Sequence, residues 1–204
     1  VTTLNGRLDT IMLSWYQPND ILGIYGTAVK ISIGLEFVIS AIKTIAMPKI
    51  AELYHGGRRA ELEDTLAYSA KLIFWTTAPL MLILVIFANP IMGFVGPEFV
   101  AGAGVLRIMA VAHFISASSG MVGAFLNMTG GQTAFSKIVL VAVGLNFVLN
   151  LVLLPVWGMW GAAWASSISL GVWNIAAAVH IKRRFNYNMF YWPFGRKTAV
   201  QHAG

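Results

Sequence analysis

Cysteine is absent from the 204 residues, and charge is scarce: Asp, Glu, Lys and Arg together make up 11% of the chain. A soluble globular chain carries about 25%. Without cysteine there is no disulfide, no thiolate metal site and no redox pair. Without charge there is no solvated surface, which excludes a soluble enzyme, a disordered chain and a secreted disulfide scaffold. A phosphate-cradling GxxxxGK[ST] loop is also missing, so Gly130-Gly131 marks a turn. The 4 histidines lack metal-ligand spacing. No nucleophile–base pair is legible either. These absences point to movement or binding, with no cofactor, no metal and no catalysis.

Apolar runs dominate what is present: 57% of the residues are hydrophobic. A hydrocarbon core about 30 Å thick needs about 20 helical residues. Five stretches are long enough: 21–47, 66–87, 100–126, 134–154 and 159–181, with a partial sixth ending at Tyr16. The expected fold is all-α, a polytopic transmembrane bundle of about six helices over residues 1–181, followed by a basic tail over 182–204. Gln17-Pro18-Asn19-Asp20 is a turn in which Asp20 is placed to cap the next helix. Pro48 should kink that helix near its end, and His55-Gly56-Gly57 should stop it. Asn89-Pro90 and Gly96-Pro97 frame a short loop; 129–132 and 155–158 are further turns. Val1 is not an initiator Met and already reads as helix, so further helices are expected before it.

Charge placement orients the bundle. Segments 17–20, 88–99 and 155–158 hold no Lys or Arg. The opposite ends hold Lys49, Arg58 and Arg59, then Lys137, then Lys182, Arg183, Arg184, Arg196 and Lys197. This is the positive-inside pattern, and it predicts a cytoplasmic C-terminus. It also accounts for the net charge of +6 without a nucleic-acid partner. Trp15, Tyr16, Tyr54, Trp157, Trp160 and Phe190-Tyr191-Trp192 read as interfacial anchors. Gly120 with Ala124, and Gly161, Ala162, Ala165 and Ser166, read as small helix-packing faces. Lys43 and Lys71 lie near cytoplasmic ends and should snorkel.

The remaining polar residues lie inside the membrane, where a charge costs about 2.5–3.5 kcal/mol on insertion scales. At about 1.5 Å per residue, Arg7 and Lys30 fall about 14 Å from the outer end, Asp9 and Arg107 about 10 Å, and Asn146 about 12 Å. Two level cations suit an anionic head group; Asp9 and Arg107 could neutralise each other; or all could be fixed ion pairs of the bundle. Arg7 and Asp9, two residues apart, point to nearly opposite sides of one helix. Glu36 lies one heptad from Lys43 on the same face. Asn146 and Asn150 share a face as an i, i+4 pair, for interhelical hydrogen bonds or for lining a cavity. His113 reads as a packing residue rather than a proton relay. The candidate substrate-path residues are therefore Arg7, Asp9, Lys30, Glu36, Arg107, Asn146 and Asn150.

An ordered set of segments carries a resemblance. Arg7-Leu-Asp9-Thr-Ile-Met-Leu with Leu22-Gly-Ile-Tyr25, then Met47-Pro48-Lys-Ile-Ala-Glu-Leu, then Phe94-Val-Gly96-Pro97-Glu-Phe with 103–108, follow one another along the chain. Asn146 to Ala163, containing Asn150, Pro155, Gly158 and Gly161, completes the set. Together these resemble the C-terminal half of polysaccharide flippases in the multidrug/oligosaccharidyl-lipid/polysaccharide exporter superfamily. The resemblance implies one lobe of a two-lobed transporter that alternates access across a bacterial-type cytoplasmic membrane. Its implied cargo is an undecaprenyl-pyrophosphate-linked oligosaccharide, whose anionic head group gives Arg7 and Lys30 a purpose. The implied partners are that lipid-linked oligosaccharide, membrane lipids and an N-terminal lobe absent from this sequence, without which the fragment should not transport. A multidrug cation antiporter of the same superfamily would instead place acidic residues in the cavity. A membrane glycan polymerase or ligase would need a large outer loop with reactive charges.

Overall fold

The computed structural model describes residues 2–187, with side chains from Gly6 onward. The tail beyond 187, with its aromatic cluster, lies outside the described residues. Among the described residues, eight α-helices follow in order: α1 (Thr2–Ser14), α2 (Asn19–His55), α3 (Arg59–Ile86), α4 (Ala88–Val95), α5 (Ala103–Ser118), α6 (Val122–Met128), α7 (Gln132–Trp157) and α8 (Met159–Phe185). A short 3₁₀ segment, Pro97–Gly102, leads into α5. Among the described residues, five helical segments are long and apolar enough to cross a membrane. The chain is an all-α, multi-pass membrane bundle.

The turns gather at two ends. At one end, a Cβ at Gly158 would meet the Gln17 side chain at 3.2 Å, and one at Gly102 would meet Ile24 at 2.7 Å. This joins the 15–18, 97–102 and 158 turns, the three that sequence leaves without Lys or Arg. At the other end, the Arg59 guanidinium donates to the Asn186 carbonyl at 3.2 Å and lies over the Tyr187 ring at 5.1 Å. The basic residues Lys182, Arg183 and Arg184 form the last turn of α8, so the helix runs past the expected boundary at 181. Cations there also complement the helix dipole.

Several local expectations are corrected. Asp20 does not cap α2; Pro18 holds the N-cap position with no side-chain cap, and Asp20 sits in the first turn. Proline at the cap has extended backbone and no N–H, so it starts the helix without Asp20's carboxylate. The expected stop at His55-Gly56-Gly57 holds: α2 carries Pro48 inside it and ends at His55, capped by Gly56. The expected loop at 88–99 is mostly helical, as α4 and the 3₁₀ turn. The expected single helix over 100–126 breaks at 119–121, where Gly120 adopts φ 63°. That break is buried and stitched: Ser119 Oγ donates to Asn174 Oδ1 at 2.6 Å, and Asn174 Nδ2 donates to Ser116 Oγ at 2.8 Å. Gly120 thus serves the backbone turn. Tyr54 packs edge-on against Phe125 and Phe185 in the core, whereas Trp15, Tyr16, Trp157 and Trp160 are exposed as interfacial anchors would be.

The α7–α8 hairpin is the tightest packing in the bundle. A Cβ on Gly161 would collide with the Leu153 carbonyl, so only glycine lets the two helices turn back so closely. Gly104 on α5 lies under the Trp160 ring, which occupies the place of a Cβ. Two buried apolar clusters result. One, around Tyr25, Leu106 and Ala162, sits toward the Gly158 end; the other, around Leu53, Phe125 and Ile181, sits toward the Asn186 end.

Candidate functional site

A fully buried carboxylate is the centre of the polar interior. Asp9 on α1 is 0% exposed, and four side chains from three other helices donate to it. Tyr25 Oη on α2 donates to Oδ2 at 2.8 Å. Asn146 Nδ2 and Asn150 Nδ2 on α7 donate to Oδ1 at 3.1 and 2.7 Å. Ser166 Oγ on α8 donates to Oδ2. Asn146 Nδ2 also reaches Ser166 Oγ at 3.3 Å, and Asn150 Nδ2 reaches Asn146 Oδ1 at 3.1 Å. Burying a charge in an apolar bundle is tolerable only with such saturation.

The sequence explains why these groups meet. On α7 the buried positions are Ala142, Asn146, Asn150 and Leu154, one stripe of period four. The Asn pair therefore faces α1 and α8 and serves as an interhelical hydrogen-bonding unit. On α8, Gly161, Ala162, Ala165 and Ser166 are all buried, and their small size brings Ser166 within reach of Asp9. Tyr25 and Ser166 were not among the candidate residues. Tyr25 stood in the motif Leu22-Gly-Ile-Tyr25, and Ser166 in the small face, so periodicity placed both without revealing their hydroxyl partner.

Asp9 has no cationic partner among the described residues. The Asp9–Arg107 pair that equal depth allows does not form. Arg107 instead donates from Nε to the Val85 carbonyl at 3.1 Å and from Nη2 to Asn89 Oδ1 at 3.2 Å. Matching two residues by depth left out azimuth: Arg107 on α5 turns toward the α3–α4 corner. In the Asp9 cluster Asn150 Oδ1 is buried without a donor, an orphan acceptor worth about 1–3 kcal/mol. Carboxylate, amide and hydroxyl oxygens form a hard donor set, suited to a proton or an oxygen-loving cation rather than to a thiophilic metal. No group of three or more His, Cys, Asp or Glu is placed to hold a metal ion among the described residues.

Arg7 and Lys30 behave differently. Both are exposed, and among the described residues neither forms an ion pair. Their helices run side by side in antiparallel register: Asp9 meets Tyr25, and a Cβ on Gly6 would lie 3.8 Å from Val29. Arg7 and Lys30 are the next residues after that Gly6–Val29 contact, so the two cations lie within about one helical turn in height. Arg7 is exposed where Asp9 is buried, as their two-residue spacing predicts.

Glu36 does not take Lys43 as its hydrogen-bond partner. Its Oε1 lies 3.3 Å from His113 Nδ1 on α5, with the two side chains 28% and 2% exposed. His113 is buried, and its polar edge is matched by Glu36 across the α2–α5 seam. The seven candidates fall into four places: Asp9 with Asn146 and Asn150, Arg7 with Lys30, Glu36 with His113, and Arg107 with Asn89.

Comparison with known proteins agrees with this architecture. The chain is similar to two proteins of the archaeon Haloferax volcanii. One, named a probable low-salt glycan biosynthesis flippase Agl15, is 22% identical over 95% of this chain and 44% of that protein. The other, named a probable flippase AglR, is 25% identical over 83% of this chain and 36% of that protein. The chain therefore spans less than half the length of these curated relatives. No solved structure matches it. The MatE family matches residues 1–152, and the chain belongs to that family.

Proposed function

We propose that this chain is the C-terminal lobe of a flippase that moves a lipid-linked oligosaccharide across a cytoplasmic membrane by alternating access. The second lobe would come from the remainder of the protein. The observation that carries the substrate class is the Arg7–Lys30 pair: two exposed, level cations on adjoining helices, facing away from the buried acid. A pyrophosphate head group, such as that of an undecaprenyl-linked oligosaccharide, would compensate both charges. The name of one relative, a glycan biosynthesis flippase, supports a glycan-bearing cargo.

The antiporter alternative asks for an exposed acid in the cavity. Here Asp9 is buried and saturated with donors, and Glu36 is engaged by His113, so the charge left for a ligand is positive. The Asp9 cluster has a different part in the proposal. It ties α1 to α2, α7 and α8 through a single carboxylate, so taking up a proton or a cation there would loosen or re-aim α1, and with it Arg7. On this reading the lobe's basic ends face the cytoplasm, as does its C-terminus.

The test is a complementation assay in cells with the full-length protein. Arg7→Ala and Lys30→Ala should each cut surface glycan display severely, with lipid-linked oligosaccharide accumulating and the protein still reaching the membrane. Undiminished display in the double variant would refute the assignment.

A further inference from the structure

Arg107 is a charged group whose position the transport proposal leaves unexplained. Arg107 stands at the head of a cavity of about 380 Å³ between α5 and α8. These two helices run parallel: Gly104 lies under Trp160, Ser167 Oγ contacts Met109 Sδ at 3.9 Å, and Asn174 bonds Ser116. Parallel helices in constant register leave a straight groove. Its walls are Val111 and Ile115 on α5 and Trp164 and Ile168 on α8, all more than a third exposed, with Gly171 at the far end. From Arg107 to Ile115 the groove runs about 12 Å at about 1.5 Å per residue. One leaflet of a hydrocarbon core about 30 Å thick is about 15 Å deep, so the groove takes most of one acyl chain, while the Arg107 side chain reaches back to Val85 and Asn89 at the α3–α4 corner.

The head of the groove carries uncompensated charge. Arg107 is fixed by the Val85 carbonyl and the Asn89 amide oxygen, both neutral. It has no acidic partner among the described residues. A guanidinium offers five N–H donors, and these two bonds leave the remainder for an anion. An apolar trough, open along its walls and headed by a fixed cation, matches an amphiphile with a negative head, and the surrounding bilayer supplies one as anionic phospholipid.

We propose that the α5–α8 groove is a binding site for an anionic phospholipid of the surrounding bilayer, its phosphate on Arg107 and one acyl chain along Val111, Ile115, Trp164 and Ile168. The site is separate from the Arg7–Lys30 pair and does not depend on the flippase reading, since it requires only that the chain sit in a membrane. Its consequence is mechanical. A lipid tail seated between α5 and α8 would brace the helix that carries His113 against the one that carries Ser166.

The test uses the full-length protein reconstituted with spin-labelled phosphatidylglycerol or phosphatidylcholine and read by electron paramagnetic resonance. Wild type should immobilise phosphatidylglycerol about fivefold more strongly than phosphatidylcholine, the selectivity of about one basic contact. Arg107→Gln should bring the two lipids level. Arg107→Lys, which keeps the charge but loses the guanidinium fork, should retain the preference and so separates charge recognition from a purely structural role. A Cβ at Gly171 meets nothing within 4 Å, so Gly171→Phe should fill the groove without a backbone clash and release both lipids. Excess inorganic phosphate should not displace the bound lipid. Equal immobilisation of the two lipids by wild type, equal loss in the Lys and Gln variants, unchanged binding in Gly171→Phe, or displacement by free phosphate would each overturn the proposal.

Discussion

Replacing Tyr25 by Phe measures the charge that Asp9 carries in the folded bundle. The substitution removes one hydroxyl and nothing else. Both residues are 0% exposed, and their oxygens are 2.8 Å apart, so Phe fills the same space and leaves no cavity. Asp9 keeps Asn146, Asn150 and Ser166 as donors, so the fold survives with one bond fewer. A hydrogen bond to an ionised group is worth about 1.5–3 kcal/mol. A neutral one between transmembrane helices averages about 0.6 kcal/mol. An ionised Asp9 therefore predicts that Tyr25→Phe costs about 1.5–3 kcal/mol. In an Asp9→Asn background the acceptor is neutral, and the same change should cost about 0.6 kcal/mol. Reversible unfolding of the four corners of this cycle in bicelles gives the coupling energy directly. A cost of only about 0.6 kcal/mol in both backgrounds would refute the ionised carboxylate as the knot of the lobe.

Other outcomes follow from the packing. Gly161→Val should drive a side chain into the Leu153 carbonyl and destabilise the α7–α8 hairpin by about 1–3 kcal/mol in the same unfolding assay. Gly120→Ala places a Cβ at φ 63° and should cost about 1–2 kcal/mol. Glu36→Leu leaves His113 buried without its acceptor and should cost about 1–3 kcal/mol, with Glu36→Gln milder because an amide oxygen can still accept. The absence of cysteine from the sequence makes accessibility easy to read within these residues. Single cysteines at Arg7 and Lys30 should react with a water-soluble maleimide, whereas one at Asn146 should stay unlabelled until the protein unfolds.

Much of this bundle was legible from apolar run length and turn chemistry, because a transmembrane helix must satisfy its own backbone. Helices α2, α3, α7 and α8 lie where the sequence places them, extended at their ends where polar residues continue the helix into water. What the sequence hid was local and three-dimensional. The break at 119–121 lies in a run without proline and is held by Asn174, 55 residues away. Helix α4 occupies a segment whose Asn89-Pro90 reads as a loop; proline near the start of a helix needs no N–H partner. In the candidate site, period alone paired Asn146 with Asn150 and separated Arg7 from Asp9. Depth along the helix axis brought Arg7 level with Lys30, and the Gly6–Val29 contact agrees. Depth failed for Asp9 and Arg107, because residues at one height meet only if they also face each other. No one-dimensional pattern pointed to the hydroxyls of Tyr25 and Ser166 as the acid's partners.

In the proposed function, the positive charge of Arg7 and Lys30 engages the anionic head of the transported lipid. The most direct test is the flipping rate of a lipid-linked oligosaccharide in proteoliposomes containing the full-length protein. Arg7→Lys with Lys30→Arg, which keeps both charges, should retain most of the wild-type rate. Arg7→Gln with Lys30→Gln, similar in size but neutral, should lower it at least tenfold, about 1.4 kcal/mol of lost transition-state stabilisation. Equal rates in the two double variants would contradict the account.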